Sequence, residues 1–192
     1  MKKLYVISIL LLFSGPLFGQ TADLPIYTWE EVKNADPDTV HAISFSKQKI
    51  TSLPDELSKF VHLRHLDLGK NKLKDLPEYV GSFSGLEYLD LSKNELAVFP
   101  VEICRLYALK TLIINRNTFD QIPDCIGYLK QLELLDLWDT PVMTFPPSLV
   151  NLRNLKKIDL QGVKYGPTFQ KQFKESLPWV TIVFDPPCDC ME

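Results

Sequence analysis

The chain has 192 residues, 45% of them apolar and 23% charged, with a formal net charge of −3. That is ordinary globular composition, and its mild acidity gives no general attraction to nucleic acid or to anionic lipid. Past the N-terminal segment no stretch is long and apolar enough to cross a membrane.

The chain opens with Lys2 and Lys3, an apolar run from Leu4 to Phe13, and a small, polar end from Ser14 to Gln20. This order predicts a secretory signal peptide over residues 1–20, cut after Gly19 or Gln20. Its loss takes Lys2 and Lys3 away and moves the formal charge from −3 to −5. No cysteine lies near the cut to carry a lipid. An exported protein, periplasmic or extracellular, is expected, and the lack of any Asn-x-Ser/Thr sequon suits a bacterial one. Residues 21–39 read as an N-terminal cap. Within it, Thr28-Trp29-Glu30-Glu31 is a capping box that starts a short helix. Trp29 and Val32 would cover the core that follows.

From Val40 a 23-residue pattern repeats six times, with copies starting at Val40, Leu63, Leu86, Leu109, Leu132 and Leu155. A fixed period of this size predicts a solenoid. Positions 1, 4 and 6 are apolar, as in Leu86, Leu89 and Leu91, and positions 4 and 6 alternate as a strand does. Each copy should give one short strand, stacked on its neighbours in a parallel sheet about 4.8 Å apart. Position 9 is Asn71, Asn94 and Asn117 in the middle copies, where an amide can pair with backbone groups as the chain leaves the strand. Positions 14 and 15 read Leu-Pro or a close variant, from Leu53-Pro54 to Phe145-Pro146. Proline there fits the first turn of a short helix or 3₁₀ turn on the back of the coil.

The array spans residues 40–177. Its sixth copy is degenerate, with Val163 at position 9 and Gly166-Pro167-Thr168 in place of Leu-Pro. Phe169, Phe173 and Leu177, at i, i+4 and i+8, predict a C-terminal cap helix merging with that copy. Residues 178–192 hold a final strand, Trp179 to Phe184, and a tail with Cys188 and Cys190. Those two thiols are expected to be free, or to link a disulfide-bonded dimer. Cys104 and Cys125 sit on neighbouring coils, near the limit of ~7 Å between Cα atoms that a bridge tolerates. They are read as two inert, half-buried thiols on the convex side.

The spacing Leu-x-x-Leu-x-Leu-x-x-Asn-x-Leu followed by Leu-Pro resembles the leucine-rich repeat family, of the 23-residue Leu-Pro type. The resemblance implies an α/β solenoid: a shallow right-handed horseshoe with a parallel sheet on its concave face and short helical or 3₁₀ segments on its convex face. It also implies a non-enzymatic module that binds a protein or peptide.

Function should then lie where outward positions of the sheet break the pattern. Tyr88 and Leu134 hold position 3, Ile113 position 5 and Trp138 position 7, all apolar or aromatic where polar residues are wanted. They come from three consecutive strands, with Asn115, Arg116, Asp136 and Asp139 around them. An aromatic centre with a charged rim is the makeup of an interface hot spot. Two other readings compete: a structural, adhesive or self-associating surface protein, and a glycan binder stacking sugars on Tyr88 and Trp138. The position-5 column Ser44, Asp67, Asp90, Ile113, Asp136 and Asp159, with Lys47, Lys70 and Lys93 nearby, reads as a solvated charged face rather than a calcium or catalytic site. His41, His62 and His65 read as surface histidines at the array edge. No Gly-x-Ser-x-Gly, His-Glu-x-x-His or phosphate-cradling glycine loop occurs. No cofactor, metal or nucleic-acid partner is expected.

Overall fold

The computed structural model describes residues 24–186. The segment read as a signal peptide and the Cys188–Cys190 tail lie outside the described residues. Eight short strands form one parallel sheet in chain order, β1 to β8. They are β1 (Tyr27–Thr28), β2 (Ala42–Ser44), β3 (His65–Asp67), β4 (Tyr88–Asp90), β5 (Thr111–Ile113), β6 (Leu134–Asp136), β7 (Lys157–Asp159) and β8 (Thr181–Val183). From β2 to β7 each strand pairs with the next at a shift of one period: Ile43↔Leu66↔Leu89↔Leu112↔Leu135↔Ile158. All six of these central residues are fully buried. The expected leucine-rich repeat solenoid is the fold observed.

The backs of the first five copies are 3₁₀ turns: Asp55–Lys59, Glu78–Ser82, Val101–Arg105, Asp124–Tyr128 and Pro147–Asn151. Each follows a proline, Pro54, Pro77, Pro100, Pro123 or Pro146, held in extended conformation. The proline thus stands one place ahead of the turn rather than inside it. Its carbonyl accepts from the residue three on, as in Ile103 N–H to Pro100 O at 3.2 Å. The missing proline N–H would have had no partner there, so nothing is lost. Strands stacked about 4.8 Å apart against bulkier backs bend the stack, with the sheet on the inner side.

Two features of the strand exits hold the coils in register. The first is an asparagine ladder. Asn94 Nδ2 donates to Leu68 O and to Leu91 O, both at 3.0 Å, and its Oδ1 accepts from Leu73 N–H at 3.0 Å. Asn71 and Asn117 repeat this one coil to either side. The second is a left-handed residue at position 8 of every copy: Lys47, Lys70, Lys93, Arg116, Asp139 and Gly162, with φ between 53° and 85°. Only Gly162 adopts that φ without steric cost; a Cβ on it would lie 2.7 Å from the Asp139 backbone.

Both ends are closed. Thr28 N–H and hydroxyl donate to Glu31 at 2.8 Å, starting helix α1 (Trp29–Val32). Trp29 stacks on Phe45, ring centroids 5.5 Å apart, and meets Phe60 edge-on. The residues just before α1 add β1 to the sheet, which the periodicity did not foretell, because a two-residue strand carries no alternation to read. At the other end helix α2 (Pro167–Ser176) presents Phe169 and Phe173 to Phe145 and Phe184. Trp179 Nε1–H donates to Leu152 O, and Arg153 lies over the indole ring at 4.2 Å.

One expectation is corrected here. Cys104 and Cys125 are not free thiols: their Sγ atoms are bonded, with Cα atoms 5.6 Å apart. Adjacent 3₁₀ backs carry the two residues, and the two-position offset between them is the diagonal from one coil to the next. The bond closes a loop of 21 residues, which in the chain-entropy account contributes about 3 kcal/mol. Reducing it, or replacing both residues by serine, should lower stability by that amount. Urea unfolding with and without reductant measures it; coincident curves would show that the bond adds nothing.

Candidate interaction surface on the concave sheet

The outward column at position 5 is less of a free charged face than its sequence suggests. In each copy that has one, the aspartate accepts the N–H of the residue two ahead: Gly69 to Asp67 at 2.9 Å, Ser92 to Asp90 at 2.7 Å, Trp138 to Asp136 at 3.0 Å and Gln161 to Asp159 at 3.2 Å. These carboxylates help turn the chain out of the strand, as aspartate does in Asx turns. Burial raises the Asp90 carboxyl above its ordinary value, the bonds from Ser92 oppose this, and Asp67 and Asp136 add to the rise. Among the described residues no three His, Cys, Asp or Glu side chains gather as a metal ion would need.

Five of the eight residues singled out in the sequence form one bonded group at the exits of β5 and β6. The Arg116 guanidinium lies over the Trp138 ring at 5.1 Å and pairs with Asp139 at 3.3 Å. Asn115 Nδ2 donates to Asp136 Oδ2 at 2.8 Å, while Asp136 Oδ1 accepts from the Trp138 N–H. Trp138 is thereby held from its backbone and from one face of its ring, yet remains 39% exposed. Ile113 and Asp136 are register partners, and Leu134 opens the same strand. Both apolar side chains are half-buried.

Tyr88 stands apart from this group. Thr111 separates it from Leu134 in the register, about 10 Å at two strand spacings. Tyr88 stacks instead on His65, centroids 4.1 Å apart and rings 3° from parallel. His65 is therefore no loose edge histidine but a half-buried member of the concave face. Burial lowers its pKa, partly opposed by Asp67. Burial, then Asp90, Asp67 and Asp136, hold the Tyr88 phenol well above its usual value. The signal for this pair was in the sequence: His65 and Tyr88 share position 3 one period apart. The other two histidines do sit near the array edge, where His41 Nδ1 is 3.0 Å from His62 O and His62 reaches Asp38 at 3.5 Å.

A family model described as "Leucine-rich repeat region" matches residues 44–179. Among solved structures, internalin C2 of Listeria monocytogenes is similar with a TM-score of 0.55 at 18% identity, over 76% of this chain and 52% of that one. An internalin InlF of the same organism gives a TM-score of 0.57 at 16% identity, over 75% of this chain and 47% of that one. The chain spans about half the length of these internalin chains. No curated protein matches the sequence. At such identities the internalins speak for the fold alone, and it is the phased repeats, the asparagine ladder and the family model over most of the chain that agree: the protein belongs to the leucine-rich repeat family.

Proposed function

We propose that the protein is an exported, non-enzymatic binding module that grips a protein or peptide partner on its concave sheet, with Trp138 as the anchor. One observation carries this reading. A large aromatic side chain stands exposed at a position filled by serine, glycine, asparagine or glutamine in the other copies, and Arg116, Asp136 and Asp139 hold it in place. An immobilised indole loses little freedom when it is covered, which favours its use as an anchor. Ile113 and Leu134 supply apolar area beside it, and the polar groups form a rim. His65 and Tyr88 offer a second, flatter contact two strands away. Export is supported by the N-terminal charge, apolar and small-residue order and by the Cys104–Cys125 bond, since disulfides persist in oxidising compartments.

Replacing Trp138 by alanine should weaken partner binding by about 2 kcal/mol, roughly 30-fold, with the melting temperature unchanged. Capture from the native secreted fraction by parent and variant side by side measures this. Equal capture by both would refute the anchor. Loss of a glycan ligand in place of a protein would favour the sugar-stacking alternative, and a thiol-dependent dimer on non-reducing gels the self-associating one.

A further inference from the structure

The strand-exit edge of the first three coils carries a charge opposite to that of the whole protein. Positions 8 to 13 of these copies hold Lys47, Lys49, Lys70, Lys72, Lys74 and Lys93, against only Asp75 and Glu95. The same positions of the later copies hold Arg116 and Lys164 against Asp120 and Asp139, which balance. All six lysines are exposed, and none lies within ion-pair distance of a carboxylate among the described residues. Asp67 and Asp90, which precede the strip on the sheet, already accept the N–H groups of Gly69 and Ser92.

The backbone sets the bases of these lysines in rows. Lys47 N–H donates to Gly69 O at 3.1 Å, Lys70 N–H to Ser92 O at 2.7 Å and Lys93 N–H to Asn115 O at 2.9 Å, so the three backbone positions stand side by side at the coil spacing, about 4.8 Å. Lys49 and Lys72 share position 10, which Glu95 fills on the third coil. Lys47, Lys49, Lys70 and Lys93 also hold left-handed φ, a conformation lysine does not prefer. Like charges so placed raise the local positive potential, which an anion laid across the coils would lower.

We infer that this edge is a docking strip for an extended acidic segment of a protein partner. No aromatic or arginine side chain stands among positions 8 to 13 of these coils. The strip therefore lacks the stacking platforms of single-stranded nucleic-acid and sugar sites and the planar forks suited to phosphate. It offers flexible point charges, which carboxylates satisfy from many angles. The strip borders the sheet that carries Trp138, so one partner can reach both. The inference rests on the reading of the protein as a protein-binding module, while the test below addresses the edge without Trp138.

Labelled poly-L-glutamate is titrated against the full mature chain and read by fluorescence anisotropy at 50 and 200 mM salt. Parent protein should bind, with affinity falling at least tenfold between the two salts as screening shortens. Lys47→Asn/Lys70→Asn/Lys93→Asn should lose at least tenfold at low salt; asparagine tolerates the left-handed conformation, so the fold is kept. Lys72→Glu/Lys74→Glu, at positions of ordinary φ, should lose as much and serves as the second variant. Trp138→Ala should bind poly-L-glutamate like the parent, which separates this strip from the concave anchor. Removing equal charge elsewhere, with Lys130→Asn/Lys164→Asn/Lys171→Asn, should leave binding intact. No binding by the parent, equal loss in that control, or tighter binding of a sulfated polysaccharide than of poly-L-glutamate would each overturn the inference.

Discussion

Leu112→Ala should lower the free energy of unfolding by about 2–5 kcal/mol. Leu112 is the middle residue of β5, fully buried, with Leu89 and Leu135 beside it in the register. Three causes add. The lost methyl groups no longer leave water on folding. The cavity left behind can close only by moving β4 or β6. Those strands are themselves pinned by Asn94 and by the backbone bonds of the sheet, so little collapse is available. Urea unfolding of parent and variant reads the effect, with a similar slope expected because the surface exposed on unfolding hardly changes. A midpoint equal to the parent's would mean that the side chain does not face the core. The position-3 neighbour gives the contrast: Thr111 is only half-buried on the outward face, and its replacement by alanine should change stability little.

Asn94→Ala should cost about 3 kcal/mol although the residue is polar and far smaller than a core aromatic. Its side chain serves three buried backbone groups on two adjacent coils: the carbonyls of Leu68 and Leu91 and the N–H of Leu73. Alanine leaves the Leu73 N–H unpaired, which costs about 1–3 kcal/mol, and takes one of two donors from each carbonyl, Leu68 O keeping Asn71 and Leu91 O keeping Asn117. Water has no ready route in, since Asn94 is itself buried within the stack. Asn94→Asp keeps the acceptor toward Leu73 but places carboxylate oxygens against two carbonyls, so it should be no milder. Thermal unfolding measures both variants. A loss under ~1 kcal/mol for Asn94→Ala would show that backbone relaxation replaces the ladder. At the array's end, Thr140 occupies the equivalent position and makes only long contacts, 3.5 Å to Ile114 O and 3.4 Å to Trp138 O. There the same substitution should be mild.

The fold was legible because one period fixes so much. Once Leu89 is placed inward, the shift of 23 places Leu66 and Leu112 as well, and the strand, the turn and the 3₁₀ back follow in phase. What escaped notice had no period to announce it. β1 is two residues long and outside the array. The Cys104–Cys125 bond lies on a diagonal between positions 19 and 17, which alignment in columns does not reveal. The left-handed φ at position 8 was hidden because lysine, arginine and aspartate fill it in five copies, and glycine, which would have signalled it, only at Gly162. The candidate surface was partly legible. The columns correctly brought Trp138 to Arg116 and Asp136. They missed that Tyr88 pairs with His65, since neighbours within one column matter as much as departures from it.

Every tie of the asparagine ladder joins residues at most 26 apart in the chain. No bond of that set knows how many coils stand above or below it. A whole coil, such as residues 63–85, could therefore be gained or lost in evolution with the seams re-knitting: Asn94 would find the Phe45 carbonyl where it now finds that of Leu68. Among the described residues the disulfide is the one staple, and it forbids this between the third and fourth coils. The molecule's length is thus open to lineage-by-lineage growth everywhere except at that rivet, beside the strands that carry Ile113 and Trp138.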